Sequence, residues 1–281
     1  MGRSQPIRVY ISCDMEGVAG IADWRQVSPG EEWNLGQELM LEEVNAAIDG
    51  AIAAGADGIL VNDSHGGMRN LAPHRLHGEA DYLSGQHKPL YMMEGLDSSF
   101  GACFFIGYHG ASDGPPSALS HTYNPAAVMG VSLGGRLVGE SGINALVARH
   151  FQVPVALVSG DQHTAAQAAP ILPGAELVEV KQSVSRFGAR SLHPEVARRQ
   201  IRDAAQSALE RLGEIPEPAL APPWRLQVRL RHADLTQLAA QVRGVEPLSE
   251  LEVEVSADDP LTAYRRFVAV LQITRLLAQE H

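Results

Sequence analysis

The run Ile7-Arg8-Val9-Tyr10-Ile11 leads directly into Ser12-Cys13-Asp14-Met15-Glu16-Gly17. A strand that is apolar on both faces has to lie inside a sheet covered on both sides. This one ends on two acids two residues apart, which period-two alternation places on the same side. Two carboxylates at the mouth of an apolar core repel each other and are costly to desolvate. A metal, a basic partner or a raised pKa has to neutralise them.

Further apolar runs that read as buried strands occur at Gly58 to Asn62, Cys103 to Tyr108, Val153 to Ser159 and Leu177 to Val180. With helical segments between them, they predict an α/β fold with a mainly parallel sheet flanked by helices. Between Leu35 and Ala54, the residues Leu39, Val44, Ala47, Ile48, Ala51 and Ile52 recur at helical spacing, and Gly55 is a natural stop. Ala126 to Leu137, with Gly134-Gly135 inside it, reads as a β-hairpin that carries Glu140 back toward the sheet.

After Gln182 the character changes. Pro194 to Leu212 reads as a long amphipathic helix, and a proline-rich stretch follows from Ile215 to Pro223. Trp224 to Leu230 and Leu251 to Val255 then alternate as strands, while Asp234 to Val242 and Leu261 to Ala278 are helical. The expected organisation is an α/β metal-binding catalytic domain over residues 1–190. A smaller C-terminal α+β subdomain with its linking helix follows over 191–281, suited to covering the main sheet, shaping the substrate entrance or making oligomer contacts.

Composition narrows the partners. The 281 residues are 45% apolar, enough for a large core, and 33 acidic against 22 basic residues give a formal net charge of -11. No basic patch stands out, so nucleic acid and anionic membrane are excluded as partners. No apolar run approaches the roughly 20 residues of a membrane span, and the first residues lack the apolar core of a secretion signal. The expected location is cytoplasmic. Cys13 and Cys103, each inside a strand-like run, read as buried reduced thiols.

Candidate ligands lie just after predicted strands: Asp14 and Glu16 after the first, Asn62-Asp63-Ser64-His65 after the second, Gly107-Tyr108-His109-Gly110 after the third. In a parallel sheet those ends share one edge. Glu140, in Val138-Gly139-Glu140-Ser141-Gly142, starts a helix. Carboxylates combined with imidazoles favour zinc or a similar first-row metal over magnesium or calcium. The negative charge of Asp14, Glu16 and Glu140 exceeds what one divalent ion neutralises, which suits a two-metal hydrolase. His121, twelve residues after His109 in a Gly/Pro/Ser-rich loop, is placed to act as base, acid or stabiliser of a tetrahedral intermediate.

The ordered series Ser12-Cys13-Asp14-Met15-Glu16-Gly17, Val61-Asn62-Asp63-Ser64-His65, Met93-Glu94-Gly95-Leu96-Asp97, Gly107-Tyr108-His109, Ser120-His121 and Val138-Gly139-Glu140 resembles the family of zinc-dependent D-aminopeptidases of the dipeptide-transport operon type. The resemblance runs from about residue 7 to Arg186 and thins beyond it. It implies two zinc ions per chain, with Asp14 bridging both and Glu16, His65, His109 and Glu140 completing the shell. It further implies His121 as the catalytic residue, short peptides or aminoacyl amides as substrates, and a ring-shaped homo-oligomer, as large as a decamer, that encloses the active sites.

Other residues carry weaker signals. Asp63 reads as a turn cap or an acceptor that orients His65 rather than as a ligand. His74, His77 and His87 lie in a polar, turn-rich stretch and are expected at the surface, while His163 follows another strand end and could line the same edge. Lys181 and Arg186 could neutralise a substrate carboxylate, bridge subunits or form salt bridges. No Gly-x-Ser-x-Gly elbow, phosphate loop or dinucleotide fingerprint is present. Two rival readings stay open at this point: a metal-dependent amidohydrolase acting on another amide, and a non-catalytic peptide-binding protein of a transport system.

Overall fold

In the computed structural model, which describes residues 6–278, the first apolar run forms β1 (Ile7–Cys13), hydrogen-bonded on both sides to parallel strands. The strands that follow are β2 (Ala56–Asp63), β3 (Asp81–Leu83), β4 (Ala102–Ile106), β5 (Val128–Leu133), β6 (Arg136–Leu137), β7 (Val155–Asp161), β8 (Glu176–Ser185), β9 (Gly188–Ser191), β10 (Trp224–Leu230), β11 (Val245–Ser249) and β12 (Glu252–Ala257). The helices are α1 (Trp24–Val27), α2 (Trp33–Ala53), α3 (Glu140–Phe151), α4 (Gln162–Ala168), α5 (Pro194–Glu210), α6 (Ala233–Ala239) and α7 (Pro260–Ala278).

Seven strands form the main sheet in the order β3-β2-β1-β4-β7-β8-β9, parallel except for the final pair. Its two faces bury different cores. Val9, Ile11 and Cys13 of β1 pack with residues of α2 and α5, while Tyr10, between them, packs on the opposite side with residues of α3 and the second sheet. Alternation along one strand thus supplies both interfaces. Cys13 and Cys103 are buried free thiols.

The second sheet is antiparallel, with the order β11-β12-β10-β5-β6. The hairpin β5–β6 therefore joins the C-terminal strands, so that sheet draws on both sides of the division placed at residue 190. Helix α5 packs on α2, closely enough that a Cβ on Gly50 would lie 2.2 Å from Arg202 O. Strand β11 has no signature in the sequence because Pro247 interrupts it, which an edge strand tolerates. Among the described residues no helix is long and apolar enough to cross a membrane.

Two glycines set the geometry at the end of β1. Gly17 N–H donates to Gly107 O at 2.7 Å, and a Cβ on Gly17 would lie 1.8 Å from Tyr108 O. Gly107 adopts a φ of +73°, and its Cβ would meet Asp14 O at 2.2 Å. Only residues without side chains let these two loops run backbone against backbone. That contact brings the acids after β1 against His109 after β4.

Candidate metal centre

Asp14, Glu16 and Glu140 are 3%, 2% and 3% exposed, so three carboxylates are withdrawn from water in one place. The loops after β1, β2 and β4 bring Asp14, Glu16, His65 and His109 together, and Glu140 enters from the first turn of α3. The contacts sort into two groups that share Asp14. On one side His65 Nδ1 lies 3.1 Å from Asp14 Oδ1 and 2.9 Å from Glu16 Oε2. On the other, His109 Nε2 lies 3.4 Å from Asp14 Oδ2 and 3.5 Å from Glu140 Oε1. His121 spans both, its Nε2 4.0 Å from Glu16 Oε1 and 3.8 Å from Glu140 Oε1.

Each imidazole is held by a backbone carbonyl. His65 Nε2–H donates to Val27 O at 2.7 Å, His109 Nδ1–H to Gly110 O at 3.0 Å, and His121 Nδ1–H to Leu119 O at 2.9 Å. A carbonyl only accepts, so in the neutral ring each bond places the proton on the carbonyl side and turns the other nitrogen toward the carboxylates. The rings of His109 and His121 stack with centroids 4.2 Å apart, and Trp24 meets His121 edge-on at 5.4 Å.

Burial would raise the pKa of Asp14, but the His109 and His65 imidazoles set against its two oxygens hold it well below the ordinary carboxylate value. Burial likewise opposes a charge on His65 and His109. The carboxylates outweigh it, chiefly Glu16 with Asp14 for the first ring and Glu140 with Asp14 for the second, and both pKa values stand well above the ordinary imidazole value. The cluster attracts positive charge, and a cation binding there has to displace those protons.

Asp14 Oδ2, Glu16 Oε2 and His109 Nε2 are buried without a hydrogen-bond partner among the described residues. Atoms of this kind are costly unless something satisfies them. Ligand atoms of Asp14, Glu16 and His109 lie within 4.8 Å of one another, as do those of His109, His121 and Glu140. A mixed carboxylate and imidazole set with orphaned lone pairs fits zinc.

The surrounding residues refine the sequence reading. Asp63 does not face the cluster: it accepts from Asn70 N–H at 2.5 Å, Asn70 Nδ2 at 2.8 Å, Leu71 N–H at 3.1 Å and Tyr82 OH at 2.8 Å, capping the turn after His65. Lys181, read from the sequence as a partner for a substrate carboxylate, a second subunit or a salt bridge, is 2% exposed and donates to the carbonyls of Glu16, Val18 and Ile21. Lys88, which the sequence did not single out, is 7% exposed and donates to Asn62 Oδ1, Asp63 O and Leu83 O. Burial pushes both ammonium pKa values down to about 8.

Arg186 Nε donates to Ser120 O at 3.2 Å and so steadies the loop of His121. His163 sits in the first turn of α4, outside the cavity wall, and His74, His77 and His87 are exposed. The Met93–Asp97 motif is a turn whose Glu94 carboxylate accepts from Leu90 N–H at 2.5 Å.

Over the cluster opens a cavity of about 350 Å³, walled in part by Trp24, Trp33, Tyr91 and Tyr123. None of these aromatic residues carries a sequence signal of its own, because helices and loops far apart in the chain deliver them. Tyr123 also donates its N–H to Glu140 Oε1 at 2.6 Å.

The sequence matches the D-aminopeptidase family over residues 7–269. The chain belongs to that family of peptidases. A D-aminopeptidase of Bacillus subtilis (strain 168) is 35% identical over 276 residues, covering 95% of this chain and 97% of the relative. A solved structure described as a Zn-dependent D-aminopeptidase, DppA from Bacillus subtilis, a self-compartmentalizing protease, matches with a TM-score of 0.90 at 33% identity. That match covers 96% of this chain and 98% of the other. The mainly parallel sheet flanked by helices is thus the fold of this family member.

Proposed function

We propose that this chain is a zinc-dependent D-aminopeptidase that holds two zinc ions, one among Asp14, Glu16 and His65 and the other among Asp14, His109 and Glu140. The observation that carries the reading is the division of the cluster into two triads about Asp14, each with one imidazole turned inward. The names of both Bacillus matches support the D-configuration, and the description of the solved structure supports zinc.

Zinc, when bound, polarises the scissile carbonyl and acidifies water. The protein supplies the rest. Asp14, Glu16 and Glu140, each almost wholly buried, hold positive charge at the floor of the cavity, and the backbone bonds of His65 and His109 fix their ring orientation before a metal arrives. His121 Nε2, with Nδ1–H committed to Leu119 O, takes a proton from the attacking water and returns it to the leaving amine. Trp24 and the stacked His109 ring keep that imidazole from turning.

Short peptides and aminoacyl amides are the substrates of this reading. Assembly into a closed homo-oligomeric ring is part of it, on the precedent of the self-compartmentalizing relative. The test is a panel of D- and L-aminoacyl amides and dipeptides assayed with and without chelator, together with metal analysis. About two zinc per chain and chelator-sensitive hydrolysis of the D-series are expected. Full activity after exhaustive chelation, or a stable metal-free protein that binds peptides without cleaving them, would overturn it.

A further inference from the structure

Arg69 stands in the wall of the cavity that opens over Asp14, Glu16 and Glu140. Its side chain is exposed, while its neighbours Met68 and Asn70 are buried. Met68 N–H donates to His65 O at 2.7 Å, and Gly85 N–H donates to Met68 O at 2.6 Å. Asn70 is tied to the Asp63 carboxylate and, through Nδ2, to His65 O at 2.8 Å. The backbone of Arg69 is therefore fixed relative to His65, and only its side chain is free to meet a ligand. Between the two residues lie Gly66 and Gly67, where an added Cβ would meet nothing within 4 Å, so this wall is bare.

A guanidinium in such a wall is matched to a planar acidic group, which it grips with two parallel N–H donors. The cavity volume is at the small end of ligand pockets, and an extended dipeptide is only ~7 Å long. A dipeptide with its amine end among the carboxylates has one anionic group to place, at its far end.

Resting on the aminopeptidase reading above, we propose that Arg69 binds the C-terminal carboxylate of the substrate and so selects free dipeptides over blocked amides. Arg275, in the last turn of α7, lines an adjoining cavity that shares Gly66, Gly67, Tyr91 and Tyr123 with the first but does not reach the carboxylates, and serves as the comparison.

The experiment measures kcat and KM of the zinc-loaded protein for D-alanyl-D-alanine and for D-alaninamide in the wild type, Arg69→Ala, Arg69→Lys and Arg275→Ala. Losing a charge-assisted pair predicts that Arg69→Ala lowers kcat/KM for the dipeptide ~10- to 100-fold more than for the amide, through KM. Arg69→Lys is expected to recover part of that difference, and Arg275→Ala to leave the ratio of the two substrates within about twofold of the wild type, since it removes no such pair. Equal losses on both substrates, no loss on either, or a ratio that moves with Arg275 instead would each overturn the assignment. A wild type that turns over neither compound ends the aminopeptidase reading. Calorimetric binding then decides the role of Arg69, and a dipeptide bound no more tightly than the amide overturns it.

Discussion

In the main sheet the central strands run out into polar groups: β1 into Asp14 and Glu16, β2 into Asp63 and His65, β4 into His109, β7 into Asp161. In the antiparallel sheet β10 alternates buried and exposed residues from end to end and passes into a turn, with no titratable group of the cluster on it. Both sheets bury apolar side chains to the same completeness, as Val9 and Val228 show. The difference is one of direction. Parallel strands deliver every C-terminal end to the same edge, whereas antiparallel neighbours send theirs to opposite edges. Groups that must converge can come from the first arrangement, and the second sheet serves the site through its β5–β6 hairpin, which leads into Glu140.

The sharpest test of that contrast is His121→Ala. With the proposed ligands untouched, metal content is expected to persist while kcat falls by ~10²- to 10⁴-fold. Full turnover with metal retained would remove His121 from the chemistry. Leu226→Ala probes the other sheet, where Leu226 is fully buried on β10. The cavity left behind is expected to cost about 2–5 kcal/mol in chemical denaturation, with kcat per folded molecule unchanged. A kcat that drops as far as the stability does would show the two sheets to be coupled.

The smallest effect concerns Glu43, which lies beneath the loop after β1 and accepts from Ala19 N–H at 2.9 Å. Burial pushes its pKa up to about 7, against hydrogen bonding and the charges of Lys181 and Arg198. A folded pKa above the unfolded one means that the native state binds the extra proton, so this group's contribution is complete below the unfolded carboxylate pKa and lost as pH rises toward 7. Glu43→Gln is expected to flatten the fall in stability over that window, measured by denaturant midpoints at equal metal loading. An unchanged slope would refute the assignment.

The strands, the long helices and the gathering of acids and histidines were legible because they depend on local periodicity and on motif order. Ile7–Cys13 buries both faces and can only be an inner strand, and Pro194–Glu210 shows one apolar stripe. What supports the cluster was not legible. Lys181 reads as a partner for a carboxylate or a second subunit until three carbonyls from residues 16–21 close around it, and the turn-capping role read for Asp63 gives no hint that Asn70 and Tyr82 are what occupy its oxygens. These roles come from convergence of segments distant in sequence, and no spacing encodes them. Edge strand β11 was hidden for a different reason, since Pro247 breaks the local pattern that would announce it.

The two buried lysines have a consequence for how acidity is shared out. Because each ammonium donates its hydrogen bonds only to main-chain and amide oxygens, it braces the loops directly and reaches the neighbouring carboxylates through its charge alone. Loop shape and cation affinity are thereby governed by separate sets of atoms. A change of ion can alter the reactivity of the pocket while the peptide framework around it keeps its form.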